Sequence, residues 1–230
     1  MNEHDLLMQA VQIDTELKHE GKRRGIPAPI WWIIGSLLAI LIVLMIVPGY
    51  IIKIDPQPAR IPSIAEVMPQ NLTIKEGVNH SVSSHSDFIR FIKPSDQNVK
   101  FVANKISTIA CNGERVCEAK AIFYFVRDNF KYAGDPSDDY VETFEESMLM
   151  GSSDCDGHSV MLANLMEAIG IEIELVFVPE HVFARISLPE AAKKYKTNGD
   201  YVYLDPTCAD CAFGEITKAS KDLPMSFVKV

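Results

Sequence analysis

A thiol, an imidazole and a carboxylate occur in this chain in an order that could carry acyl transfer. Cys155 lies in Gly151-Ser152-Ser153-Asp154-Cys155-Asp156-Gly157-His158-Ser159, directly ahead of an apolar helical pattern. His181 and Asp205 follow, each in a segment that reads as a strand. A cysteine in the first turn of a helix faces unpaired backbone N–H groups and the positive end of the helix dipole. Both favour the reactive thiolate. A backbone N–H in the same place can hold the oxyanion of a tetrahedral intermediate. Asp154 and Asp156 oppose the thiolate, unless the charge of Asp154 is taken up in capping. His181 would act as general base toward Cys155, or as the imidazolium of an ion pair with it. Asp205 would bond one ring nitrogen and aim the other at sulfur, provided the two strands pair.

Each residue alone has a plainer explanation. A cysteine ahead of an apolar helix can be buried and inert, a strand histidine can be a surface polar residue, and Asp before Pro is a turn former. The polar Ser-Ser-Asp-Cys-Asp-Gly context argues against an inert thiol. His158, three residues after Cys155, is a second candidate for the base, but same-helix geometry points it along the helix rather than across a cleft.

The elements that must position these groups are legible in the pattern. Val99, Val102, Ala103 and Ile106 are spaced for a helix, as are Val116, Ala119, Phe123, Val126 and Phe130, with Cys111-Asn112-Gly113 as the stop between them. Ser152 or Asp154 can cap the helix carrying Cys155, whose Val160, Leu162, Ala163, Leu165, Met166 and Ile169 give a wide buried face, and Gly170 ends it. Ile171, Ile173, Leu175 and Phe177 then alternate as a strand; Pro179-Glu180 makes a turn, and His181 to Ile186 alternates again. Asn198-Gly199-Asp200 is a hairpin signal ahead of Tyr201-Val202-Tyr203-Leu204. Helices followed by an antiparallel meander make an α+β domain.

These blocks resemble the transglutaminase-like superfamily. Gly151 to Gly170, Glu180-His181-Val182-Phe183 and Tyr203-Leu204-Asp205-Pro206-Thr207 look like its three blocks. The helix ending in Asn129-Phe130-Lys131-Tyr132 is similar to the one that precedes its cysteine block. The resemblance covers about residues 115 to 210 and implies a papain-like α+β core, with Cys155 as nucleophile, His181 as base and Asp205 as orienting group. It implies acyl transfer through a thioester, with water or an amine as acceptor. A peptidase or amidase acting on a peptide or protein substrate is the preferred expectation, without cofactor or catalytic metal. Two departures stand out. Ser153 replaces a Gly common two residues before the nucleophile, and Phe183 replaces an aromatic that is commonly Trp. Inactive members exist, so a non-catalytic binding module is the alternative. Tyr132 and Asn129 are candidates for the second oxyanion donor.

The other four cysteines, Cys111, Cys117, Cys208 and Cys211, form an even set that suits two disulfides in an oxidising exterior. The bridges could be local, or could tie the first helices to the loop after Asp205. A zinc site or a redox function using Cys208-Ala209-Asp210-Cys211 is the other reading. Asn71-Leu72-Thr73 and Asn79-His80-Ser81 are glycosylation-type triplets.

The 230-residue chain divides by composition. Residues 1–24 form a polar tail. No charged residue occurs from Gly25 to Ile52, and 28–52 is long enough for the roughly 20 residues a membrane-spanning helix needs. Trp31, Trp32 and Tyr50 sit where interfacial rings belong, and Val47-Pro48-Gly49-Tyr50 is a poor signal-cleavage site. Lys18, Lys22, Arg23 and Arg24 precede the span and only Lys53 and Arg60 closely follow it. The positive-inside bias puts the N-terminus in the cytoplasm and the rest outside. Residues 53–95, rich in Pro, Ser, Asn and His, read as a stalk, and 96–230 as the compact domain. With a net charge of −9 and no basic stripe, nucleic acid is not expected as a partner.

Overall fold

The computed structural model describes residues 7–8, 11–13, 28–134, 140–197 and 199–230. Most of the expected tail at 1–24, including Lys18, Lys22, Arg23 and Arg24, and Asn198 of the hairpin signal lie outside the described residues. The chain separates into two units, 1–50 and 51–230. In the first, helix α1 begins at Ala28 and runs to Ile54 across the boundary. Its stretch Pro29–Val47 is long and apolar enough to cross a membrane, and none of it is buried. Trp32 and Met45 are 81% and 82% exposed.

The second unit is built on one helix. Helices α2 (Ile64–Val67), α3 (Gln97–Ala110), α4 (Arg115–Asn129), α5 (Phe144–Met150) and α6 (Cys155–Ala168) precede a four-stranded sheet. Its strands are β3 (Ile173–Val178), β4 (His181–Ser187), β5 (Tyr201–Leu204) and β6 (Ser226–Lys229), in the order β5-β4-β3-β6, all antiparallel. A short parallel pair, β1 (Lys131–Tyr132) with β2 (Ser152–Ser153), delivers the chain to the start of α6. Helix α6 packs against α3, α4, β3 and β4, so it is buried around most of its girth. Ser159 and Asn164 on it are fully buried. Both are satisfied: Ser159 donates to the Val182 carbonyl at 3.1 Å, and Asn164 donates to Phe91 and Val160 carbonyls while accepting from the Lys93 amide. Buried polar groups need such partners.

Residues 55–95 differ from the expected stalk. Val67, Leu72, Phe88, Phe91 and Ile92 are buried in the same core as α3, α4 and α6. Asp55 pairs with Lys120 of α4, whose side chain is 1% exposed. Lys120 also donates to the Pro56 carbonyl at 3.1 Å and lies over the Tyr195 ring at 4.8 Å. The Pro-rich composition breaks helices, but the apolar residues between those breaks are enough to pack. Composition reports the first property and hides the second.

All four accessory cysteines are consumed by local bridges, Cys111–Cys117 and Cys208–Cys211, with Cα separations of 5.9 and 5.2 Å. That arrangement leaves no ligand for the zinc site considered from the sequence, and neither bridge ties the first helices to the loop after Asp205. Cys155 is the one free cysteine.

Candidate active site

Cys155 is the first residue of α6, and Asp154 is its N-cap. The Asp154 carboxylate accepts from the Asp156 and Gly157 amides at 2.8 and 3.2 Å. It therefore satisfies two of the orphan donors of the first turn. Gly157 is obligatory here for space: a Cβ would come within 2.5 Å of Glu142 Oε2 and 2.6 Å of Ser153 Cβ. Ser153, one of the two departures from the family pattern, is 2% exposed and its hydroxyl lies 2.9 Å from His158 Nδ1. The same nitrogen is 2.7 Å from the Asp154 carbonyl. His158 is thus committed to bracing the turn beneath Cys155, with a pKa pushed down by burial against the pull of the Asp154 and Phe130 carbonyls. Its Nδ1 is taken up within the turn, so His181 is the better-placed candidate for the base.

His181 opens β4 after a two-residue turn, Pro179-Glu180, that joins the Val178–His181 pair. Proline fixes φ at the first position, so the reversal falls on Glu180, whose φ is +63°. That is a left-handed conformation for a residue with a Cβ. Asp205 stands one residue past the Ala184–Leu204 pair of β4 and β5. His181 Nε2 donates to Asp205 Oδ2 at 3.1 Å, leaving Nδ1 on the opposite side of the ring. Asp205 is fully buried. It also accepts from the Thr207 hydroxyl at 2.8 Å and from the Thr207 and Thr217 amides at 3.3 and 3.5 Å. Burial works to raise its pKa, but His181, Thr207 and Thr217 outweigh this and hold the carboxyl below its usual range. Phe183, the second departure, is fully buried on the sheet beneath His181, its ring centroid 5.8 Å away, and packs edge-on against Tyr203.

Cys155 and His181 line one cleft of about 720 Å³, together with Asp154, Asp156, Glu180 and Tyr132. The sulfur is half-buried and its thiol donates to Asp156 Oδ1 at 3.5 Å. Burial, then Asp156 and Asp154, push the thiol up to about 12, against a nearby Val182 amide. The resting group is therefore a neutral thiol rather than the thiolate expected from the helix terminus. The helix dipole remains, but burial and two adjacent carboxylates exceed it. Of the two proposed oxyanion donors, Tyr132 borders the cleft. Asn129 instead donates to the Pro62 and Phe125 carbonyls at 3.2 and 3.1 Å. Asp154, Cys155 and Asp156 offer ligand atoms within 4.8 Å of one another, the one such group among the described residues. The Asp154 carboxylate in it is already engaged by two amides.

Sequence reasoning missed the roles of Gly157 and Glu180. Gly157 could have been found from its place three residues past the cap, where a helix interior gains nothing from glycine. Glu180 carries no signal, because the turn type is fixed only by the pairing of its flanking strands.

Comparison with known proteins bears on the family of this region. Residues 102–206 match the model of the transglutaminase-like superfamily. No curated protein matches the chain. Among solved structures, Legionella pneumophila LapG is similar at 17% identity and a TM-score of 0.39, over 63% of this chain and 83% of that one. Residues 102–206 are thus a domain of the transglutaminase-like superfamily, with helices packed on an antiparallel sheet.

Proposed function

We propose that this chain is a membrane-anchored thiol hydrolase that cleaves an amide bond of a peptide or protein through a thioester on Cys155. The observation that supports this most is the His181–Asp205 pair, 3.1 Å apart, whose carboxylate is fully buried and whose imidazole lines the cleft that holds the helix-terminal thiol. His181 Nδ1 takes the thiol proton as sulfur attacks the carbonyl, and Asp205 stabilises the imidazolium that results. The backbone amide of Cys155 receives the oxyanion, since the Asp156 and Gly157 amides are held by Asp154. The imidazolium protonates the leaving amine, and water, deprotonated by the same ring, releases the acid. General-base attack suits the neutral resting thiol; a preformed thiolate–imidazolium pair is not needed.

The helix Pro29–Val47 serves as the anchor. Four cations before it against two close after it favour an N-terminus in the cytoplasm and a domain outside, where two disulfides are also at home. A second reading, a binding module without activity, is favoured by the thiol's pKa of about 12. Incubating the full chain in detergent micelles with a diverse peptide mixture separates the two. Hydrolysis yields new amino termini that Cys155→Ala abolishes. Isopeptide products would identify a transferase. No product from folded protein would leave the binding module.

A further inference from the structure

From the walls of the cleft we infer that its substrate is cationic: a peptide that places a Lys or Arg side chain between Glu180 and Asp156, beside the reacting amide. This rests on the assignment of Cys155 as nucleophile and adds the substrate class. Asp156 comes from the helix that carries the sulfur and Glu180 from the turn before His181; Asp154 lines the cleft too, the basic groups lining it are His85 and His181, and no Lys or Arg lines it among the described residues. Tyr132 borders the same space and is 63% exposed, which offers a ring face to a cation. Walls of one charge sign concentrate ligands of the other. Glu180 is exposed, at a left-handed φ of +63° where glycine would be unstrained. A side chain there is strained relative to glycine, and the carboxylate it adds lines the cleft. A bound cation also offsets the two carboxylates that oppose ionisation of Cys155, so the substrate favours its own attack.

Charge-selective thiol reagents read this field without a known substrate. Methanethiosulfonates carrying a trimethylammonium, a neutral methyl or a sulfonate group each transfer their thioalkyl group to Cys155 as a mixed disulfide and release methanesulfinate. Rates on the full chain in detergent, without reductant, are normalised to those on a small thiol. The cationic reagent should exceed the anionic one by about tenfold at low salt, and the ratio should shrink as salt rises. Glu180→Gln, which keeps the strained turn, should lower the ratio about threefold. Glu180→Gly should lower it equally while raising the melting temperature. A ratio near one in the wild type, or one unchanged by Glu180→Gln, overturns the inference. The reagents modify a thiol whether or not His181 and Asp205 catalyse anything. A catalytically inert chain would therefore still show the preference, and a hydrolase of neutral peptides would not.

Discussion

At the scale of single residues, the site is a contest between a helix terminus that favours thiolate and surroundings that oppose it. Burial acts first on Cys155, and Asp156 next, so that the thiol stands at about 12. A carboxylate one residue from the proposed nucleophile is therefore a control on its reactivity. Asp156→Asn should lower the thiol pKa and speed iodoacetamide labelling of Cys155 at pH 8 by about three- to tenfold, allowing for the lower nucleophilicity of a less basic thiolate. Labelling measured by intact mass across pH 7 to 10 checks this, and an unchanged profile would remove Asp156 from the account. The types and order of Cys155, His181 and Asp205 were legible in the sequence because each sits at an element end that pattern alone defines. The state of the thiol was not, because burial depends on which strands close over α6.

At the scale of elements, the span expected to be a stalk is bound to the domain. Its most consequential contact is Asp55 on the buried Lys120. Burial works to raise the Asp55 pKa, but hydrogen bonds from Lys120, Lys194 and Tyr195 bring it down to about 2. The folded value lies below the unfolded one near 3.9. The stabilisation is therefore present above about pH 4 and is lost as pH falls toward about 2. Asp55→Asn leaves an uncompensated buried cation and should destabilise the domain by about 3 kcal/mol. Asp55→Asn combined with Lys120→Met should recover much of that loss. Chemical denaturation of the three proteins tests this. The strand order was partly legible: alternation and Pro179-Glu180 predict β3 against β4. The Gly199 turn does form a small closure, with the Thr197 amide bonded to the Tyr201 carbonyl at 2.9 Å, but it sits inside a longer connection between β4 and β5. The sequence could not show β6, because Ser226–Lys229 pairs with β3 from the far end of the chain.

At the scale of the whole chain, the proposed placement sets the N-terminus in the cytoplasm and the domain with its bridged cysteines outside. External protease on intact cells should digest the domain and spare an epitope at the N-terminus. The reverse pattern would invert the orientation. Under denaturing conditions without reductant, a thiol count should find one free cysteine, and five after reduction. More than one before reduction would contradict the bridges and, with them, the oxidising exterior.

The claim on which the rest depends is that Cys155, His181 and Asp205 act as one unit. The most direct measurement is the rate at which p-nitrophenyl acetate acylates Cys155 in the wild type, His181→Ala, Asp205→Asn and the double variant, each shown to be folded. The account predicts a loss of about a hundredfold or more for His181→Ala. It also predicts a loss for Asp205→Asn, and a double variant no slower than His181→Ala alone. Equal rates in wild type and His181→Ala, both following ionisation of the thiol alone, would contradict it.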